Sequence, residues 1–238
     1  MKGPYGLNSH ESCKTCNLRG AGFFCQLSPG AMKEFEAIKS TATYPKGALL
    51  FLERQDSRGV FALCQGEVKL SIGSSEGKTL VVGIAKTGEV IGLMAAMAGS
   101  PYEVTAETLH PCQVAFIRRD DFLHFIAKHP ETAASVAKQM SSQYQAACEQ
   151  LRTVGLSASA QEKLGRLLLL WSSDAPETDE GARIKMPLTH EEIAEFIGTT
   201  RETVTRTLSE FRHRHLVALH GSTLMIPSRA ALQTFVDA

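Results

Sequence analysis

The chain has 238 residues, 43% of them apolar and 21% charged, with 25 basic and 25 acidic side chains. That length predicts one large domain or two modest ones, and the composition excludes a disordered chain. A formal charge of zero excludes a uniformly basic nucleic-acid binder, so any charged partner must be sought in local patches.

The opening MKGPYGLNSHE holds no apolar run of secretory type. No later apolar stretch approaches the roughly 20 residues that cross a bilayer, so a cytoplasmic protein with no membrane partner is expected. A reducing compartment disfavours structural disulfides and leaves cysteines as buried hydrophobes, metal ligands or redox centres. Residues 1–28 then form a cysteine-rich arm with too few periodic apolar positions to fold alone. Cys13, Cys16 and Cys25 follow C-x2-C-x8-C, three of the six cysteines of the chain. Three chemistries suit them. A CxxC redox pair normally opens a helix after a strand, whereas this one precedes any predicted element. A zinc clip would take His10 as its fourth ligand. An iron–sulfur cluster needs a fourth thiolate, which a remote cysteine can supply.

From Tyr44 to Ile117 short apolar runs are punctuated by glycine. Val68, Leu70 and Ile72 alternate with Lys69 and Ser71, the period of a strand with one buried face. SSEG before KTLVV reads as a hairpin turn. Many short strands at this spacing predict a compact β-barrel or sandwich. Cys64, inside FALCQGE, occupies the place of a small buried hydrophobe. Cys112, in TLHPCQVAF, follows a proline at a strand entrance, where an arm folded over the barrel would meet it.

DDFLHFIAKHP predicts a short helix stopped at Pro130. Val136, Met140, Tyr144, Ala147, Leu151 and Val154 follow at steps of four, four, three, four and three, one apolar seam along a long helix. That seam is covered either by the chain's own barrel or by the same helix of a second subunit. Cys148 lies one position from the seam and reads as helix packing. AQEKLGRLLLLWSS starts a further helix, and residues 174–183 read as a polar, acidic loop.

The C-terminal stretch is the most informative. Thr189 with Glu192 forms a capping box, Ile193, Ala194 and Ile197 give the first helix its apolar face, and Gly198 ends it. Thr200 caps a second helix whose buried face is Val204, Leu208 and Phe211. Arg201, Glu202, Thr205 and Arg206 stand on its opposite side, the arrangement that enters a major groove. Arg pairs with guanine and Glu accepts from cytosine N4. From Lys185 onward the charges balance, so affinity would rest on dimerisation and a few phosphate contacts. LVALHGSTLMI reads as two strands about a Gly221 turn. His190, His213, His215 and His220 have no accompanying carboxylate motif, and FRHRH suits the basic end of a helix, so no enzyme is expected.

Strand-rich domain, long helix and winged helix-turn-helix, in that order, resemble the CRP/FNR family of bacterial transcription regulators from about Thr41 onward. GTTRETVTRTL is the most specific segment. The resemblance implies an α+β protein: a cysteine-rich sensory arm over 1–28, a β-barrel/jelly-roll of cyclic-nucleotide-binding type over 29–127, a dimerisation helix over 128–156 and a winged helix-turn-helix over 157–238. It further implies a homodimeric activator that meets double-stranded DNA and RNA polymerase. Arg201, Glu202 and Arg206 match the base-reading trio of the CRP branch, implying TGTGA-like half-sites in a palindromic operator, with Thr200 and Thr205 beside them.

GEVIGLMAAMAGSPYEVTAE resembles the cyclic-nucleotide segment of that branch. Here Leu93 takes the glutamate position, and Tyr102 and Glu103 fall near the Arg-Ser pair, so no cyclic nucleotide is expected. The cysteines resemble those of the oxygen-sensing FNR branch. That likeness implies a [4Fe-4S] cluster on Cys13, Cys16, Cys25 and Cys112, labile to oxygen or nitric oxide, with an arm spacing three residues longer than the usual C-x2-C-x5-C.

Overall fold

A computed structural model describes residues 4–7, 12, 13, 16, 22–173, 175, 177, 178, 181–186, 188–220 and 223–237. The chain divides into two compact units, residues 1–78 with 82–146 and residues 79–81 with 147–238.

In the first unit Ser28 caps a helix that opens at a proline, and its hydroxyl accepts from the Ala31 amide. That helix, α1 (Pro29–Ile38), buries Ala31, Met32 and Phe35. Eight strands follow: β1 (Lys39–Tyr44), β2 (Leu49–Phe51), β3 (Gly59–Gln65), β4 (Glu67–Gly73), β5 (Thr79–Lys86), β6 (Val90–Ile91), β7 (Thr105–Thr108) and β8 (Cys112–Arg118). A short helix, α2 (Leu93–Ala98), separates β6 from β7. The SSEG turn joins β4 to β5, closed by the Ser74 amide on Lys78 O at 2.8 Å with Gly77 at φ +78°.

The strands form two sheets, ordered β1-β8-β3-β6 and β2-β7-β4-β5. This corrects the expected β-barrel/jelly-roll, because among the described residues no closed barrel forms. The reason lies at the sheet edges. β6 meets β3 only through Phe61↔Ile91 and Ala62↔Val90, and β2 shifts register between Leu49 and Phe51. At β6 and β2 the edge strands are too short to offer the ladder bonds that would join the two sheets on that side. An α+β fold with an N-terminal sheet domain stands.

Period-two alternation divides the core in two. Val60 and Ala62 of β3, with Ala115 and Ile117 of β8, pack among Met32, Phe35 and Phe122. Phe61 and Leu63 of β3, with Cys112 and Val114 of β8, pack instead with Phe51, Tyr102 and Ala106. Each fully buried Phe or Leu adds about 1.5–3 kcal/mol, so a one-residue slip would overturn both clusters together.

After β8 comes α3 (Arg119–Lys128), acidic in its first turn and basic in its last, and it stops before Pro130 as the sequence predicts. The predicted long helix is α4 (Pro130–Leu156). Val136 is buried and Met140 half-buried against the Phe35 cluster. Gln139 braces the helix by accepting from the Val90 amide at 3.1 Å and donating to Val90 O at 2.6 Å. Farther along, Tyr144 and Leu151 are 71% and 70% exposed. No helix of the described residues is long and apolar enough to cross a membrane.

The second unit holds α5 (Ala160–Ser172), β9 (Glu177–Thr178), β10 (Gly181–Lys185), α6 (His190–Ile197), α7 (Arg201–His213), β11 (Ala218–His220), β12 (Thr223–Ile226) and α8 (Arg229–Val236). The predicted acidic loop contains β9 and runs into the start of β10. Buried Ala182 and Ile184 of β10 lie opposite Ile226 and Leu224 of β12, in a sheet ordered β11-β12-β10-β9. The two strands predicted for the wing are β11 and β12; Gly221 lies outside the described residues.

Candidate functional site

Two groups of side chains carry chemistry, one in each unit. In the second, α6 starts with both bonds of the capping box: the Glu192 amide donates to Thr189 Oγ1, and the Thr189 amide donates to Glu192 Oε2 at 2.7 Å. Gly198 at φ +64° reverses the chain, a left-handed conformation that favours glycine. Thr200 then caps α7 by accepting from the Thr203 amide at 3.3 Å. Its side chain is thereby committed to the helix start.

Val204, Thr207, Leu208 and Phe211 are the buried face of α7. Arg201, Glu202, Thr205 and Arg206 are all exposed on the other side. The side chains of Arg201, Glu202 and Arg206 form no ion pair or hydrogen bond with a described residue. Thr205 differs from them. Its hydroxyl donates to Arg201 O at 3.0 Å and lies 2.9 Å from His190 Nδ1. A hydroxyl has one proton, so His190 Nδ1 is the donor in the second bond. The imidazole therefore ties the start of α6 to the outer face of α7. Sequence reading set His190 aside with the other histidines; its place as the first residue after the Thr189 cap was the available signal. At the far end Arg214 bonds Glu210 at 2.9 Å and lies 4.9 Å from the Phe235 ring.

The first unit contains the cysteines, and strand parity separates them. Cys112 is fully buried in the inter-sheet cluster, where its Sγ bonds His110 O at 3.1 Å and Glu67 O at 3.3 Å. Gly66 lies over it at φ +107°, and a Cβ there would come within 2.5 Å of that sulfur. Burial pushes the Cys112 thiol up. Cys64, by contrast, shares the outer face of β3 with Val60 and Ala62, and Cys13 packs against the same cluster. Burial pushes the Cys64 thiol up to about 11; Lys39 opposes that rise, and Cys13, Cys25 and Cys16 add to it.

The arm is held at several points. Glu36 Oε1 accepts from the Ser12 hydroxyl at 2.6 Å and from the Cys13 amide at 2.9 Å. Lys39 Nζ donates to Cys13 Sγ at 3.0 Å. The Phe24 ring stacks on Phe35 with centroids 4.2 Å apart. Gly22 sits so close to Gly88 that a Cβ would come 2.3 Å from its Cα.

Residues 162–235 match the Crp-like helix-turn-helix domain, and residues 41–129 match the cyclic nucleotide-binding domain. The chain belongs to the CRP/FNR family of transcription regulators. Transcriptional activatory protein AadR of Rhodopseudomonas palustris is 26% identical over 221 residues, 91% of either chain. A CRP-like cAMP-activated global transcriptional regulator of Mycobacterium tuberculosis is 23% identical over 88% of this chain and 93% of its own. The solved structure of FixK2 from Bradyrhizobium japonicum shares the fold, with TM-score 0.73 at 19% identity over 83% of this chain and 96% of that one. AadR and the Mycobacterium tuberculosis protein are regulators of transcription, and this CRP/FNR-family chain is a DNA-binding regulator, not an enzyme.

The cofactor expectation is corrected on both counts. The match over 41–129 to the cyclic nucleotide-binding domain overturns the expectation that cyclic nucleotides have no place here. Within that segment Leu93 and Tyr102 are buried, and the Tyr102 hydroxyl donates to Gly59 O at 2.8 Å, while Glu103 is exposed. The [4Fe-4S] expectation does not fit the donor set either. Among the described residues no three His, Cys, Asp or Glu side chains are grouped to hold a metal ion. The physical reason is parity: Cys112, the expected fourth ligand, faces the inter-sheet core, and the arm covers the other face. His10, the candidate zinc ligand, lies outside the described residues.

Proposed function

We propose that the protein is a cytoplasmic homodimer that reads a palindromic operator with TGTGA-like half-sites through Arg201, Glu202 and Arg206, and that it regulates transcription as an activator in contact with RNA polymerase. The observation that carries this reading is the free outer face of α7: two guanidinium groups and a carboxylate, exposed and unpaired among the described residues, on a helix locked from behind by four buried side chains. Side chains already bonded within the protein would lose those bonds to read bases; these lose none. Thr205 and Thr200 act beside the trio by setting the helix, through the bonds to Arg201 O and the Thr203 amide. The exposed Tyr144 and Leu151 on α4 support the dimer, because an apolar seam left in water gains by meeting its own copy. Two helices then face half-sites one turn of DNA apart.

The test is competition binding of full-length protein between a TGTGA palindrome and a scrambled duplex of equal length. The palindrome should win by about a thousandfold or more, the lower range for specific DNA binders. Equal affinity for both, with the slope against salt unchanged, would overturn the base-reading assignment.

A further inference from the structure

We propose that residues 22–27 of the arm act as a strap: seated across the turn between β5 and β6, they hold that turn against α4, and lifting them loosens the helix. The strap is marked by a crossing of two glycines. A Cβ on Gly22 would come within 2.3 Å of Gly88 Cα and 2.5 Å of Gly88 O. Gly88 stands at φ +96°, a left-handed conformation that favours glycine on its own account. Gly22 does not. At φ −145° and ψ 170° its backbone is extended, a conformation open to any residue. The space over Gly88 alone demands a glycine there, and the obstacle is backbone, which cannot swing aside as a side chain can.

Two side chains seat the strap beyond the crossing. Phe24 and Leu27 are buried, and the Phe24 ring stacks on Phe35 and meets Phe122 edge-on, with centroids 6.4 Å apart. Between Gly22 and Leu27 the chain makes a four-residue 3-10 helix, Phe23–Gln26. A helix that short has too few internal bonds to persist alone, so its order depends on its seat.

The turn passes this contact on to the helix. The Gly88 amide donates to Leu63 O at 2.7 Å, and the Leu63 amide donates to Glu89 O at 2.8 Å, which fixes one side of the turn to β3. Val90 follows in β6, the last strand of its sheet. A side chain meets its backbone: Gln139 accepts from the Val90 amide at 3.1 Å and donates to Val90 O at 2.6 Å. One carboxamide thus takes both bonds that a neighbouring strand would make. Gly22 and Gln139 therefore bear on the same turn. A seated strap fixes the edge that Gln139 grips, and a lifted one frees it, so that α4 loses a brace between Val136 and Met140.

The experiment follows amide hydrogen exchange in full-length protein. Gly22→Ala places a methyl group against the Gly88 backbone. Exchange should rise by about fivefold or more, the lower end of ordinary coupling between sites, in residues 22–27 and also in residues 88–90 and 136–144. A rise confined to the strap would overturn the relay, and no rise anywhere would overturn the crossing. If Gly22→Ala does not fold, Gln139→Leu makes the same test from the other end, because coupling is reciprocal. It should speed exchange in residues 22–27, and an unchanged rate there would count against the proposal. Self-association, measured by sedimentation, separates a relay from two local losses of stability. Gly22→Ala should weaken it by about fivefold or more in the native background and no further in Gln139→Leu, whereas fully additive losses would show that the two sites act independently. This last readout rests on the homodimer proposed above. A native protein that stays monomeric at every concentration would break that reading and leave the exchange result to decide the strap.

Discussion

α7 and the arm over β3 present reactive side chains in opposite ways. On α7 the side chains of Arg201, Glu202 and Arg206 are exposed and unpaired among the described residues, and the helix beneath them is fixed by Val204, Leu208 and Phe211. On the arm the polar groups already have partners: Ser12 and the Cys13 amide on Glu36, and the Cys13 sulfur on Lys39. A rigid platform with unpaired groups suits recognition, because binding asks for little reorganisation. A platform whose bonds are already made suits a switch, because chemistry at one member disturbs the rest.

Breaking each platform from behind should show this contrast most strongly. Phe35→Ala removes the ring under Phe24 and should cost the first unit about 3–5 kcal/mol, read as a lower denaturation midpoint. At temperatures where the variant stays folded, its half-site preference should stay unchanged. A shifted half-site preference would blur the distinction between the two regions.

A second effect sharpens the arm side. Folded Cys64 keeps its proton to about pH 11, whereas an unfolded cysteine loses it from about 9. Between those values the unfolded chain binds fewer protons, so stability falls as pH rises, by an amount on the order of 2 kcal/mol, and below pH 9 this group leaves stability flat. Denaturation in reducing buffer from pH 8 upward should show that fall in the native protein and a shallower one in Cys64→Ala. Parallel curves would mean that Cys64 is less buried than its place on β3 implies.

On the α7 side smaller effects should appear. Removing the box hydroxyl in Thr189→Ala should destabilise the second unit by about 1 kcal/mol, measured by thermal denaturation. His190→Ala releases the Thr205 hydroxyl from its second partner and should weaken operator binding by about two- to fivefold, within the worth of one neutral hydrogen bond. Loss of all operator binding in that variant would make His190 a direct DNA contact instead of a brace.

What was legible in the sequence divides along the same line. α7 could be read in detail because helical periodicity, the Thr200 cap and Gly198 are local signals, each a few residues from what it controls. The long α4 and the stop before Pro130 were legible for the same reason. The Ser28–Pro29 start of α1 had an equally local signature and went unread beside the cysteines. β10 was misread because its partner β12 lies far along the chain, and the polar loop around it hid the alternation of Ala182 and Ile184. Cys112 was misplaced for a related cause. The proline before it correctly marks a strand entrance, but which face its sulfur takes depends on the register of β8 between β1 and β3. That register also carries Cys64 to the arm, and nothing near FALCQGE announces it. The short edge strands that keep the two sheets from closing are set by non-local pairing as well.

The most direct measurement is a base-swap cycle on the operator. Native protein and Arg201→Ala are titrated, at one fixed salt concentration, against the TGTGA palindrome and against duplexes with each half-site guanine replaced in turn. If Arg201 reads a base from the free face of α7, the native protein should lose about 1–3 kcal/mol at one guanine per half-site, and Arg201→Ala should lose discrimination there alone. If Arg201→Ala instead weakens every duplex equally and keeps the native pattern of preference, Arg201 contacts only phosphate and the proposed reading of the operator is wrong.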